Sequence, residues 1–274
     1  MGRRPVPQFV GQPVGRDHPP RVRQQRRQQG ADLGLGHGMG RAIVEALLDE
    51  GAEVLLTGRN EQTLEEARTA LKGRAAHVVR SDAASVADVA ALAEQARDVL
   101  GRLDHLFVNH GFASFATLDE VTEEAWDRHF DINAKGAFFT VQALAPLLAD
   151  GGSIVFTTVA NDVVFPGISA YSASKEATRA FAHVLAVELL PRKIRVNSVA
   201  PGYIKTPTMG VAGLTEEQRR EFERQGDSST PLKRIGTVEE VARAALFLAA
   251  DATFTTNVEL AVDGGFAQGL GTEE

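Results

Sequence analysis

The chain has 274 residues, of which 43% are hydrophobic and 24% charged, and it carries a formal net charge of −7. It contains no cysteine, which excludes disulfides and cysteine-ligated metal sites. It has no apolar run of the length that a membrane span or a secretory signal needs, so we expect a cytoplasmic protein with no membrane partner.

The charge is unevenly distributed. Residues 1–30 hold seven Arg and one Asp, a charge of +6, so the remainder carries −13. The acidic remainder argues against general nucleic-acid binding, and we expect no nucleic-acid partner. The basic head, residues 1–30, allows three interpretations: a disordered arm, a nucleic-acid arm or a targeting segment.

From Arg41 onward, helices are predicted to alternate with short apolar strands. Helices are predicted over residues 41–51, 62–72, 86–100, 123–148, 173–190 and 238–249, the fourth interrupted near Asn133 or Gly136. Strands are predicted to begin at Glu53, Ala76, Leu103, Ser153, Ile194 and Val258. This order predicts one α/β domain over residues 31–274, with a doubly wound parallel sheet in a three-layer α/β/α (Rossmann-like) arrangement. The polar segment 206–232 is a candidate lid over a site at the carboxyl ends of the strands.

Two motifs carry chemistry. Gly34-x-x-x-Gly38-x-Gly40 precedes a helix, where glycines permit close approach of the backbone to a pyrophosphate. Tyr171 and Lys175 are four residues apart, which places them on one helix face. A nearby ammonium lowers the pKa of a phenol, so this pair suits proton transfer at a carbonyl or alcohol oxygen. Each motif alone also fits an ordinary turn or a surface helix.

The motifs as a set resemble the short-chain dehydrogenase/reductase family in its single-domain form. The resemblance covers about residues 34–269 and rests on LFVNHG, DINAKGAFFTVQ, SIVFTTVA, YSASK, RVNSVAPGYIKTP and VDGG in this order. It implies an NAD(P)-dependent oxidoreductase that interconverts a ketone and a secondary alcohol by hydride transfer. A catalytically impaired nucleotide-binding member of the family is the alternative.

The resemblance also assigns catalytic roles. Tyr171 would be the general acid/base, and Lys175 would lower its pKa and hold the nicotinamide ribose. Asn133 would anchor a water that relays protons through Lys175. Thr158 stands thirteen residues before Tyr171, where the family usually has Ser. Its hydroxyl still suits the substrate oxygen, but its methyl narrows the pocket, so we expect some loss of activity or a shifted substrate range.

The resemblance places the cofactor along the carboxyl edge of the sheet. The second strand ends at Arg59 with no carboxylate nearby, which favours NADP(H) and leaves NAD(H) as the alternative. Asp82 fits either an adenine contact or a helix cap. The implied cofactor contacts are Gly34, His37, Gly38, Met39, Gly40, Arg59, Asp82, Asn109, Gly111, Tyr171, Lys175, Pro201, Gly202, Ile204 and Thr206.

The substrate and self-association are less specified. Asn161, Phe165 and Tyr203 are candidate substrate contacts, and their neighbours suggest a mostly apolar molecule. The seven His show no metal-ligand spacing, so no metal is expected. Asn257 replaces a usual Gly and is expected to tolerate the same turn. The helices at 123–148 and 173–190 carry surplus apolar surface, which by resemblance implies a homodimer or homotetramer.

The segment before Gly34 departs from the family. A strand of type K-x-A-L-V-T-G is expected there, but the chain has QQGADLG, in which Gly30, Asp32 and Gly34 disfavour a strand interior. We hypothesise a shifted reading frame, because common codons for residues 28–35 read one base later allow an apolar strand. Sequencing related genes tests this, and an uninterrupted frame would reject it. Alternatively, neighbouring strands force residues 26–34 into the sheet.

Overall fold

Seven parallel strands form one sheet, and helices cover both of its faces. The computed structural model describes residues 29–33, 38–160, 165–268 and 270. The strands are β1 (Gln29–Leu33), β2 (Glu53–Gly58), β3 (Ala76–Arg80), β4 (Leu103–Val108), β5 (Leu148–Thr157), β6 (Arg195–Pro201) and β7 (Glu259–Val262). The helices are α1 (Met39–Asp49), α2 (Glu61–Ala70), α3 (Val86–Leu100), α4 (Glu123–Phe130), α5 (Ala137–Leu144), α6 (Ser169–Glu188), α7 (Glu216–Ser229) and α8 (Val238–Leu246).

The predicted three-layer α/β/α fold is confirmed. The strand order is β3-β2-β1-β4-β5-β6-β7, so the chain reverses its winding direction between β1 and β4. In such a sheet the crevice at the carboxyl ends of the strands beside this reversal is the usual ligand site. None of the described helices has the length and apolarity needed to cross a bilayer.

The predicted long helix at 123–148 is interrupted where the sequence indicated. Residues Asp131–Gly136 form a π-helical turn between α4 and α5. Helix α5 ends at Leu144, and the 3₁₀ turn Ala145–Leu147 leads to the start of β5 at Leu148. β5 therefore starts five residues before its predicted start at Ser153. The turn at Asn257 is also confirmed, since its φ is 62°. Residues 206–232, predicted as a lid, contain α7.

For Gln29–Leu33 the structure confirms the alternative that neighbouring strands force this segment into the sheet, although Gly30 and Asp32 disfavour a strand interior. Backbone pairing places Gln29–Leu33 between β2 and β4, with Gly30 opposite both Val54 and His105. A central gap would leave the facing N–H and C=O groups of both neighbours unpaired, and that penalty outweighs poor side-chain propensity. The basic head up to residue 28 lies outside the described residues.

The core is divided into two apolar layers by the sheet. On one side α1 packs against α8, and Val44 and Val241 are completely buried there. On the other side α3, α5 and α6 cover the sheet, with Leu92, Val141 and Phe156 buried between them. Burial of each such side chain stabilises the folded state by about 1.5–3 kcal/mol. The packing of both layers against the sheet holds the strand ends in position.

One titratable group lies inside this core. His105 on β4 is 6% exposed, and its Nδ1 is 2.9 Å from the hydroxyl of Ser153 on β5. Burial lowers the pKa of His105 to about 4. In the unfolded chain the usual pKa is 6.5. Between these values the unfolded state binds the proton and the folded state does not, so stability falls as the pH falls.

We therefore expect the free energy of unfolding to drop by about 2 kcal/mol between pH 7.5 and pH 5 because of His105 alone. In the variant His105→Asn, the part of the drop that is due to His105 should disappear. The free energy of unfolding is measured by chemical denaturation at both pH values. His183→Asn, at an exposed position, serves as the matched control and should keep the parental difference. An unchanged pH dependence in His105→Asn would contradict the assignment.

Candidate active site

Two neighbouring cavities open at the carboxyl edge of the sheet. The first has a volume of about 530 Å³ and lies at the ends of β2, β3 and β4, beside the start of α1. The second has a volume of about 150 Å³ and lies at the ends of β5 and β6. Met39, Thr206 and Gly210 line both cavities, so the two adjoin.

The predicted site residues divide between the two cavities. Those lining the first are Gly38, Met39, Gly40, Arg59, Asp82, Asn109, Gly111 and Thr206. Those lining the second are Thr158, Phe165, Tyr171, Pro201, Gly202, Tyr203 and Ile204. Asn133 and Lys175 line neither cavity and are buried directly behind them. Gly34, His37 and Asn161 lie outside the described residues.

The start of α1 forms one wall of the first cavity. Within the described ranges no side chain caps this helix, and Gly38 adopts a φ of 157°, a conformation that L side chains rarely take. A Cβ atom on Gly38 would also stand 3.1 Å from Cγ2 of Thr206. Uncapped N–H groups at a helix start favour an anion such as a pyrophosphate.

Thr206 marks the passage between the cavities. Its Oγ1 atom is buried and has no hydrogen-bond partner among the residues that the structure describes. A buried hydroxyl without a partner is costly unless a ligand supplies one. The orphaned hydroxyl, the uncapped helix start and the size of the first cavity therefore fit a dinucleotide that extends into the second cavity.

The far end of the first cavity holds Arg59 and Asp82. Arg59 follows β2 and is exposed, while the next residue, Asn60, caps α2 by accepting a hydrogen bond from the Thr63 N–H. Asp82 accepts a hydrogen bond from the backbone of Ala84, and Ser85 is the N-cap of α3. The helix-cap interpretation of Asp82 is therefore wrong, and its carboxylate shapes the turn at the cavity wall.

Tyr171 and Lys175 lie one turn apart near the start of α6. Tyr171 reaches the second cavity, whereas Lys175 is 5% exposed and its Nζ donates a hydrogen bond of 2.9 Å to the carbonyl of Thr157. A Cβ on Gly111 would stand 3.2 Å from that Nζ atom. The glycine after Asn109 and His110 thus leaves room for the ammonium beneath the first cavity.

Burial dominates the protonation of this pair. It raises the pKa of Tyr171 to about 12 and lowers the pKa of Lys175 to about 8. The sequence argument predicted that Lys175 would lower the pKa of Tyr171. Burial acts in the opposite direction on the phenol, and the effect of Lys175 on the pKa of Tyr171 stays a prediction. At neutral pH Tyr171 is consequently a phenol and Lys175 is mostly charged.

Asn133 joins three parts of the site. Its Oδ1 accepts from the N–H of Phe112, and its Nδ2 donates to the carbonyl of Phe112 and to Oγ of Ser174. Ser174 in turn donates to the carbonyl of Tyr171. The π-helical turn places Asn133 where its amide links the loop after β4 to α6. Asn133 therefore fixes the position of Tyr171 relative to the first cavity.

Thr158 has an arrangement that the sequence did not predict. Its Oγ1 lies 2.6 Å from Oε1 of Glu259 on β7 and 3.0 Å from the carbonyl of Val199 on β6. Both partners are acceptors, so the single hydroxyl hydrogen is directed toward them. Glu259 was interpreted only as part of the last strand, and nothing in the local pattern indicated that it reaches the site.

The loop after β6 closes the second cavity. Ile204 pairs with Gly236 in a parallel bridge, which holds this loop against the segment before α8. A Cβ on Gly202 would stand 2.8 Å from Cβ of Asp263, so this glycine permits close packing of the loop against the end of β7. Pro201 is the last residue of β6 and lines the same cavity.

Aromatic rings dominate the second cavity. The ring of Phe222 on α7 lies 5.1 Å from the ring of Tyr203 and 5.6 Å from that of Phe115. Phe266 lies 5.0 Å from Tyr203, and Phe165 lies 6.1 Å from Phe115. Phe165 and Tyr203 were predicted as substrate contacts. Phe115, Phe222 and Phe266 were not predicted individually, because they come from segments distant in the chain. No charged side chain is among the described residues that line this cavity.

The chain is similar in sequence to known oxidoreductases over most of its length. A family model described as Enoyl-(Acyl carrier protein) reductase matches residues 34–267. An uncharacterized oxidoreductase of Methylorubrum extorquens is 38% identical over 238 residues, which cover 85% of this chain and 94% of the relative. The 2-(S)-hydroxypropyl-CoM dehydrogenase 3 of Xanthobacter autotrophicus is 35% identical, over 86% of this chain and 94% of the relative.

The fold is also similar to that of a solved structure. The short-chain dehydrogenase/reductase from Serratia marcescens superposes with a TM-score of 0.80 at 30% identity, over 89% of this chain and 98% of that one. The fold and the paired cavities define a nicotinamide-dependent oxidoreductase. The chain belongs to the short-chain dehydrogenase/reductase family, and this membership implies NAD or NADP as the cofactor.

Proposed function

We propose that the protein interconverts a neutral, apolar ketone and the corresponding secondary alcohol, with Tyr171 as the proton-transferring group. The observation that carries this proposal is the position of Tyr171 in an uncharged aromatic cavity that adjoins the dinucleotide cavity. The name of the Xanthobacter relative, a hydroxypropyl dehydrogenase, supports a secondary hydroxyl group as the reacting function.

The chain's own residues would act as follows. Phe165, Tyr203 and Phe222 surround the apolar part of the substrate and exclude water from it. Tyr171, protonated at neutral pH, donates its phenolic hydrogen to the carbonyl oxygen during reduction and takes it back from the alcohol during oxidation. The charged Lys175 stabilises the resulting phenolate, and Asn133 holds α6 in place. The bound nicotinamide supplies or accepts the hydride.

We infer that the residues of the first cavity hold the cofactor. The start of α1 and Thr206 suit the pyrophosphate region, and the walls near Asp82 and Asn109 suit the adenosine and nicotinamide sides. The impaired, purely nucleotide-binding alternative is not favoured, because Asn133, Tyr171 and Lys175 are all present and their helix is tied to the cavity.

Replacing Tyr171 by Phe removes the transferable proton while keeping the ring. We expect the kcat for reduction of neutral aryl ketones to fall by about a hundredfold or more, with nucleotide binding retained. The chain has only one other tyrosine, Tyr203, in the same cavity. Tyr203→Phe is the matched comparison and should change kcat by less than about tenfold. Equal ketone reduction by Tyr171→Phe and the parent would refute the mechanism.

We further propose a preference for NADP(H) over NAD(H), set by Arg59. Its guanidinium is exposed at the wall of the first cavity, where it can pair with a 2′-phosphate. Arg59→Ala should weaken NADPH binding about tenfold to a hundredfold and leave NADH binding nearly unchanged, as measured by fluorescence titration. Arg102→Ala, beside the start of β4, controls for loss of one positive charge. Equal weakening for both nucleotides would argue against this role.

We also propose a homodimer or homotetramer, built on the surface of α4 and α6. Three large apolar side chains on these helices are exposed: Trp126 is 42% exposed, Val184 56% and Val187 63%. A symmetric contact would bury this surface against its own copy. Light scattering should give a dimer or larger, and the double variant Val184→Glu, Val187→Glu should shift it toward monomer. A monomeric parent at micromolar concentration would contradict the proposal.

A further inference from the structure

A carboxylate from the last strand reaches the hydroxyl of Thr158, a residue that lines the second cavity. The Oε1 atom of Glu259 lies 2.6 Å from Oγ1 of Thr158, and Oε2 of Glu259 lies 2.6 Å from Nε of Arg179. The side chain of Glu259 is 16% exposed. Arg179 follows Tyr171 and Lys175 by further helical turns, so all three lie along one face of α6.

The direction of each hydrogen bond follows from the chemistry of the groups. Arginine only donates and a carboxylate only accepts, so the hydrogen between Thr158 and Glu259 comes from Thr158. The carbonyl of Val199, at 3.0 Å, is the weaker competitor, since it is neutral and already accepts from the N–H of Thr158. The hydroxyl hydrogen of Thr158 is thus directed away from the second cavity.

We propose that Glu259, oriented by Arg179, is a positioning residue that holds the hydrogen of Thr158. Thr158 consequently acts toward the second cavity as a hydrogen-bond acceptor only. A substrate alcohol can donate to that oxygen, whereas a ketone has no hydrogen to donate and must rely on the phenol of Tyr171. The arrangement favours binding of the alcohol over the ketone. The inference rests on the proposed ketone–alcohol function.

The variant Glu259→Gln separates this role from simple support of the fold. Because Arg179 only donates, the amide oxygen of Gln must face it, and the amide NH₂ then faces Thr158. That NH₂ donates to one of the two lone pairs of the Thr158 Oγ1 atom, and the hydroxyl hydrogen, no longer held by a carboxylate, is left between the neutral carbonyl of Val199 and the second cavity. Alcohol binding should weaken, and ketone binding should stay equal or become tighter.

The test measures equilibrium binding of 1-phenylethanol and acetophenone, an aromatic alcohol and its ketone. Each ligand is titrated with the nucleotide form that does not react with it, so no turnover is needed. We expect Glu259→Gln to raise the ratio of the Kd for the alcohol to the Kd for the ketone about threefold to tenfold, the range of one hydrogen bond. A merely structural role would weaken both ligands equally and leave the ratio unchanged.

Two further variants make the result specific. Glu176→Gln removes another carboxylate, 3.6 Å from Nη1 of Arg179, and should leave the ratio unchanged. In a Thr158→Val background, Glu259→Gln should no longer alter the ratio. An unchanged ratio in the single variant, or a shift that persists without the Thr158 hydroxyl, overturns the inference. So does a parent that binds neither ligand.

The outcome is independent of the test of Tyr171. If Tyr171→Phe reduces ketones as well as the parent does, the proposed mechanism fails, yet the ratio of dissociation constants still reports on Glu259. If Tyr171→Phe is inactive and the ratio does not move, the mechanism stands and the role of Glu259 fails.

Discussion

The burial of one ammonium group, that of Lys175, is the constraint on which the site depends. Placing a charge where it is 5% exposed is costly, and the lowered pKa of Lys175 reflects this cost. The surrounding parts reduce it. β5 supplies the carbonyl of Thr157, and the loop after β4 leaves space by having glycine at 111. Asn133 holds that loop by both the N–H and the C=O of Phe112.

The helix interruption and the strand order both act on the loop after β4, which lies beside the buried lysine. The π-helical turn at Asp131–Gly136 places Asn133 between the loop after β4 and α6, a contact that an uninterrupted helix would direct elsewhere. The reversal of the sheet between β1 and β4 opens the crevice into which the same loop faces. A buried cation next to that crevice favours an adjacent anion, such as a phenolate on Tyr171. The π-helical turn and the burial of the lysine therefore act at one position.

The sequence predicted the layers and the helix interruption, because these depend on local periodicity. For Gly30 and Asp32, side-chain propensity argued against a strand and only the alternative based on neighbouring strands predicted one, since pairing with two flanking strands is not visible in propensity. The burial that raises the pKa of Tyr171 was not visible either, because helical spacing shows that two groups are near but not how deeply they are buried. Phe222 and Glu259 were missed because they join the site across long stretches of chain.

The contact between Thr158 and Glu259 bears on why threonine is suited to this position. A β-branched side chain has few χ1 rotamers, which restricts the position of its Oγ1 atom, and one strong hydrogen bond then directs the hydroxyl hydrogen. A serine has more χ1 freedom, so its oxygen would be held less firmly beside the carboxylate. With Glu259 held by Arg179 on the face of α6 that carries Tyr171 and Lys175, the groups that receive and donate protons are set by the same helix. In the mechanism that we propose, the donor in the second cavity is then Tyr171, and the direction of proton transfer follows its protonation.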